Sequence, residues 1–102
     1  MLNLFRKKKL ANLQLKEALQ QGALIIDVRT PAEYNDGHIN TATNIPLQQL
    51  PTQLPVLTQQ KKVFITCCRS GARSNIACQL IKTAGLDCYD GGAWQELQKN
   101  ID

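Results

Sequence analysis

Apolar positions along the chain fall into two kinds of run. Residues 23–28, Ala23-Leu24-Ile25-Ile26-Asp27-Val28, and residues 63–67, Val63-Phe64-Ile65-Thr66-Cys67, are short and nearly continuous. Such runs suit strands buried on both faces of a parallel sheet. Elsewhere the apolar residues recur at helical spacing. Leu13, Leu15, Ala18 and Leu19 predict a short amphipathic helix over residues 12–21, stopped by Gly22. Ile76, Ala77, Leu80, Ile81 and Ala84 predict a second helix, capped by Gly85.

Between these lie weaker signals. Thr30-Pro31-Ala32-Glu33 has the N-cap, first-turn proline and third-position glutamate of a helix start, and Asn35-Asp36-Gly37 ends that helix early. Residues 42–45 suit a short strand closed by Pro46. Leu47, Leu50 and Leu54 have helical spacing, but Pro51 and Pro55 are expected to limit residues 47–57 to short turns. Residues 86–89 read as a further strand, Gly91-Gly92 as a turn, and residues 93–99 as a closing helix. Strands alternating with helices imply an α/β fold, a parallel sheet with helices on both faces. In such sheets the site lies beyond the carboxyl ends of the strands.

Composition narrows the picture. The 102 residues suit one small domain, and 43% hydrophobic content is enough for a core of its own. The net charge of +4 is local, because Arg6, Lys7, Lys8 and Lys9 supply four of the twelve basic residues and leave eight basic against eight acidic groups. Residues 1–10 are therefore expected to be a solvated basic tail, with the domain spanning 11–102. No second basic patch and no interleaved aromatic besides Phe5 support a nucleic-acid contact. No run approaches the length of a membrane span, and MLNLF followed by RKKK has the wrong order for a signal peptide, so stable membrane insertion is not expected and a cytoplasmic location is. Cys67, Cys68, Cys78 and Cys88 then read as reduced thiols. With no C-x-x-C pair and one histidine, no metal site is expected.

The candidate chemistry sits in Cys68-Arg69-Ser70-Gly71-Ala72-Arg73-Ser74, between the strand at 63–67 and the following helix. A thiolate at the strand's end would face inward-pointing amides, a tight curl at Gly71, a helix N-terminus, two arginines and two serine hydroxyls, which together form a nest for an anion. Such surroundings lower a thiol pKa. Counting from Cys67 gives the bare C-x5-R spacing of cysteine phosphatases, but places glycine one position late and threonine where their histidine stands. Counting from Cys68 places glycine correctly and arginine one position early.

From Cys68 the loop resembles the C-R-x-G-x-R-S loop of single-domain rhodaneses. The resemblance extends to Asp27-Val28-Arg29-Thr30-Pro31-Ala32-Glu33-Tyr34, to Gly37-His38-Ile39, to Ala42-Thr43-Asn44-Ile45-Pro46 and, loosely, to Asp90-Gly91-Gly92 with Trp94. Thr41 replaces a usual glycine, and no first strand precedes the helix at 12–21. The resemblance implies a three-layer fold around a five-stranded parallel sheet. It implies a sulfurtransferase with Cys68 as nucleophile and Arg69, Ser70, Gly71, Ala72, Arg73 and Ser74 binding a small anionic sulfur donor such as thiosulfate. Cyanide, a thiol or a sulfur-accepting protein would take the sulfur, and no cofactor is called for. Two other readings stay open: a non-catalytic docking or persulfide-carrier module, and a phosphatase or arsenate reductase of the same fold.

Other residues receive quieter roles. Cys67 should turn its thiol away from the loop, since neighbouring strand residues face opposite sides. Cys78 and Cys88 read as core. Asp27 and Arg29 should brace the loop, with Glu33 placed to pair with Arg29, and Trp94 reads as core. The resemblance places His38 in a structural turn.

Overall fold

The computed structural model describes residues 3–101. In chain order they form α1 (Leu4–Gln20), β1 (Leu24–Asp27), α2 (Pro31–Asn35), β2 (Thr43–Asn44), a 3-10 turn (Leu47–Gln49), α3 (Leu50–Gln60), β3 (Phe64–Cys68), α4 (Ala72–Thr83), β4 (Cys88–Ala93) and α5 (Trp94–Gln98). All strand pairs are parallel, in the order β2-β1-β3-β4. This is the expected α/β architecture with four strands among the described residues rather than five. The described segment before β1 is helical and supplies no strand.

Each face of the sheet carries its own helices. Ile26, Val28, Phe64 and Cys68 pack with Leu50 and Leu57 of α3 and Ala77, Cys78 and Ile81 of α4. On the other face, Ile25, Ile65 and Cys67 pack with Leu15 and Ala18 of α1 and Leu97 of α5. The period-two alternation of β3 thus sends Cys67 and Cys68 to opposite layers.

Three expectations need correction. Helix α1 begins at Leu4, not near residue 12, so the basic run is helical. Asn3 accepts the Arg6 N–H through its side chain (2.8 Å), and the following residues favour helix without needing burial. Helix α3 is continuous through Pro55. Pro51 and Pro55 are both exposed, and the buried Leu50 and Leu57 hold the inner side, so packing outweighs the one lost hydrogen bond. Strand β4 continues through Gly91-Gly92 with a register shift opposite residues 66–68, where a turn was expected. A Cβ on Gly91 would lie 2.8 Å from the Thr66 carbonyl oxygen and 2.9 Å from Leu97, so glycine is what lets the strand pass.

Candidate active site

Strand β3 ends at Cys68, and the chain then curls over the sulfur before α4 begins at Ala72. Gly71 supplies the turn with φ +112°, a conformation that side chains other than glycine rarely adopt. The curl points amides at the sulfur: Gly71 N–H lies 3.0 Å and Ser74 N–H 3.4 Å from Cys68 Sγ. Burial opposes ionisation of this thiol, but the Ser74 hydroxyl and the N–H groups of Ser74, Gly71 and Ser70 outweigh it and pull the pKa below the ordinary cysteine value. The Ser74 hydroxyl has one proton and competing acceptors, since its Oγ also lies 2.6 Å from Asp90 Oδ1 and 3.0 Å from the Gly71 carbonyl. The amides have no such competition here and are the steadier donors to sulfur.

Cys67, one residue earlier, has the opposite character. Burial, and after it the negative charge of Asp27, push its pKa well up. Its thiol is fully buried in the α1 and α5 layer. Cys88 is also driven up, by burial and by the adjacent Cys78 thiol.

A chain of side chains supports the loop. Asp27 and Arg29, both buried, form a two-pronged pair in which Arg29 Nη2 donates to Asp27 Oδ2 at 2.7 Å and Nε donates to Oδ1 at 2.9 Å. The same guanidinium donates to the carbonyls of Gly37 (2.7 Å) and Glu33 (3.2 Å), and lies 4.9 Å over the Trp94 ring. Asp27 and Arg29 thereby tie α2 and its following turn to the strand end, and their side-chain hydrogen bonds stay outside residues 68–74.

The Glu33 carboxylate does not pair with Arg29. It accepts two hydrogen bonds from Arg73, at 2.7 and 2.9 Å, because Arg29 is already committed to Asp27 and its reach ends on the Glu33 backbone. Arg73, with backbone donation from Thr30 next, holds the Glu33 carboxyl down to about 2 from 4.5. Arg73 is thus turned to α2, closing the loop against it, while Arg69, Ser70 and Ala72 are exposed at the rim. Arg69 lines an open hollow of about 450 Å³ beside the loop, together with Arg29, Glu33, Gly37 and Trp94. Trp94 is consequently both packed on Arg29 and part of that hollow's wall.

Several contributors were assigned no role from the sequence. Asp90 joins β4 to the loop by accepting from Ser74 Oγ and from Gly92 N–H (2.9 Å). Thr66 donates its hydroxyl to the Ser74 carbonyl (2.9 Å), anchoring the first turn of α4 to β3. Asn44 bridges the Asp27 and Arg29 carbonyls from β2. Only the acid of Asp90-Gly91-Gly92, directly after a strand, offered a hint. His38 stacks on Tyr34 with its ring nitrogen 2.7 Å from the Tyr34 carbonyl, as a turn residue. Among the described residues no group of three or more potential ligands is placed to hold a metal ion, and no helix is long and apolar enough to cross a membrane.

The sequence model of the rhodanese-like domain matches residues 11–98. The chain belongs to the rhodanese-like domain family. A sulfurtransferase of Allochromatium vinosum is 35% identical over 74 residues, covering 72% of this chain and 68% of the relative. Two further bacterial relatives, from Synechocystis and Bacillus subtilis, are matched over about half of their own length (49% each). Among solved structures, a rhodanese-related protein of Thermoplasma volcanium superposes with a TM-score of 0.72 at 28% identity, covering 86% of this chain and 87% of that one. A human single-domain sulfurtransferase gives 0.69 at 27% identity, covering 84% and 90%. The rhodanese-like architecture is thereby established.

Proposed function

We propose that this rhodanese domain is a sulfurtransferase that carries sulfane sulfur on Cys68. The observation that carries the reading is the convergence of the Gly71 and Ser74 amides on Cys68 Sγ, while Cys67 faces the opposite layer. The sulfurtransferases among its relatives support sulfur-transfer chemistry in general. Thiosulfate is the donor that the cradle suits.

In the first step the Cys68 thiolate attacks the outer sulfur of thiosulfate. A new S–S bond forms, the bond to the sulfonyl sulfur breaks, and sulfite leaves with the electron pair. The amides of Ser70, Gly71 and Ser74 then hold the terminal sulfur of the persulfide anion, and the N-terminus of α4 adds positive potential. In the second step cyanide or a thiolate takes that terminal sulfur and releases Cys68 as thiolate, completing a double displacement. Arg69 meets the donor's sulfonate at the rim. Arg73 keeps the loop closed through Glu33, and Ala72 contributes its place in the curl. Asp27 and Arg29 set the floor on which α2 and the loop meet. The curl closes around Cys68 in the shorter register that suits sulfur, so a phosphatase reading from Cys67 is disfavoured by a thiol buried in the wrong layer.

The test is direct. Incubation with thiosulfate should add one sulfur atom to the protein, located on the peptide containing Cys68, and thiosulfate with cyanide should yield thiocyanate. Hydrolysis of an aryl phosphate faster than thiocyanate formation would overturn the assignment.

A further inference from the structure

The sheet has two unequal edges. Strand β2 is two residues long, whereas β4 is six and has β3 on one side only. The Phe64 N–H donates to the Asp87 carbonyl at 3.0 Å, which fixes the alternation: Asp87 and Tyr89 turn their backbone groups to β3, and Cys88 and Asp90 turn theirs outward.

That outward side opens into a cleft of about 820 Å³. Its walls are Ala11, Gln14 and Leu15 of α1 and Cys78, Gln79 and Lys82 of α4. These helices belong to opposite layers, since Leu15 packs with Ile65 and Cys67, and Cys78 with Phe64 and Ile81. The cleft is therefore the space in the plane of the sheet, between its two helical layers, that one more strand would fill at about 4.8 Å from β4. Helix α1 overhangs it. Only Leu15 and Ala18 of its seventeen residues are buried, and the face they define continues through Ala11 to Leu4, which is 85% exposed.

We propose that this slot receives an extended, acidic segment of a partner polypeptide, which pairs with the outer edge of β4. Strand addition supplies the missing backbone partners of Cys88 and Asp90. The charge preference follows from α1. Lys7 and Lys8 precede Ala11 by four and three residues and so share its face, and Lys82 lines the opposite wall. The floor carries two acids, Asp87 and Asp90, which the three lysines outnumber. A second copy does not fit the same geometry, because its own β4 is recessed between its helices and its other edge has only two residues.

The full chain is extended at its N-terminus with the segment Thr-Val-Glu-Val-Thr-Val-Glu on a flexible Gly/Ser linker of about twelve residues, long enough to reach around α1. Tethering supplies a local concentration on the order of millimolar, so weak pairing is readable. Amide exchange by NMR is the readout. Exchange at Cys88 and Asp90 should slow at least about tenfold relative to the untethered chain. The protection should vanish when alternate residues of the segment are proline, and weaken when its glutamates are lysine. Ala11→Trp and Gln79→Trp, substitutions at exposed sites that fill the slot from opposite walls, should each abolish it with the helical signal unchanged. Unchanged exchange at Cys88 and Asp90 would overturn the proposal, as would protection appearing at Thr43 and Asn44 instead. Protection that grows with protein concentration in the untethered chain would assign the edge to a second copy.

Discussion

Cys67 and Cys68 are the same residue, one peptide bond apart on one strand, and they occupy opposite chemical worlds. Cys67 lies among aliphatic side chains, and burial together with the charge of Asp27 suppresses its ionisation. Cys68 is almost as well shielded from water, at 1% exposure against 0%. Its surroundings nonetheless favour the anion, because backbone N–H groups stand among the aliphatic side chains that shield it. Burial by itself does not decide a thiol's reactivity. What decides it is whether the groups that exclude water include donors to the sulfur.

The largest effect should separate the two directly. Cys68→Ser should lower thiocyanate formation by about a thousandfold or more, since a serine hydroxyl is not ionised at neutral pH and forms no persulfide. Cys67→Ser should retain most activity while lowering stability by about 1–3 kcal/mol in a urea titration, the cost of a hydroxyl in an apolar site. Loss of activity in Cys67→Ser with normal folding would break the comparison.

Next in size is the titration of Cys68. Alkylation by iodoacetamide should rise through an inflection below the ordinary cysteine value. Ser74→Ala removes one donor to the sulfur and should move that inflection up by as much as about one pH unit. Asp90→Asn replaces a carboxylate that competes for the Ser74 hydroxyl proton and should move it down. Shifts of the same sign in both variants would show that Asp90 does not compete for that proton.

A smaller effect concerns closure of the loop. Because the folded Glu33 carboxyl lies near 2 and the unfolded one near 4.5, unfolding takes up a proton in acid. The Glu33–Arg73 contribution is thus fully present above about pH 4.5 and fades as pH falls toward 2. Glu33→Gln should be less stable than the parent at pH 7, and the gap should close in acid. A gap independent of pH would mean that the ion pair is not its source. Smallest of all, Arg69→Ala should raise the KM for thiosulfate about two- to fivefold with kcat little changed, the range for one exposed charge. A fall in kcat alone would place Arg69 at the reacting atoms instead.

What could be read in the sequence was contiguous. The cradle is seven consecutive residues, its glycine marks the one backbone angle the curl needs, and strand alternation alone separates Cys67 from Cys68. Asp27 and Arg29 stand two apart and share a strand end. The contacts that escaped reading join distant positions. Glu33 and Arg73 are 40 residues apart, and Ser74 and Asp90 are 16 apart. Their partners compete with nearer, equally plausible ones, as Arg29 did for Glu33. Helix α3 was misjudged because proline propensity is local, whereas the burial of Leu50 and Leu57 that overrides it is not. The first turns of α1 escaped because a helix that buries nothing leaves no hydrophobic period to detect.

The pairing of Arg29 with Asp27 and of Arg73 with Glu33 has a consequence at longer range. Two of the three arginines around the cradle are cancelled by carboxylates within 3 Å, and among the described residues Arg69 forms no ion pair. Seen from outside, the surroundings of the loop are close to neutral, with Asp36 lining the same hollow as Arg69. It projects little field into solution and does little to steer anions toward itself. On the proposed reading, its grip on an anion would come from aligned N–H dipoles, whose influence ends within a few ångströms. Such a site would not accumulate the abundant anions of its surroundings. It would recognise one only after contact, by the fit of an outer atom into the curl.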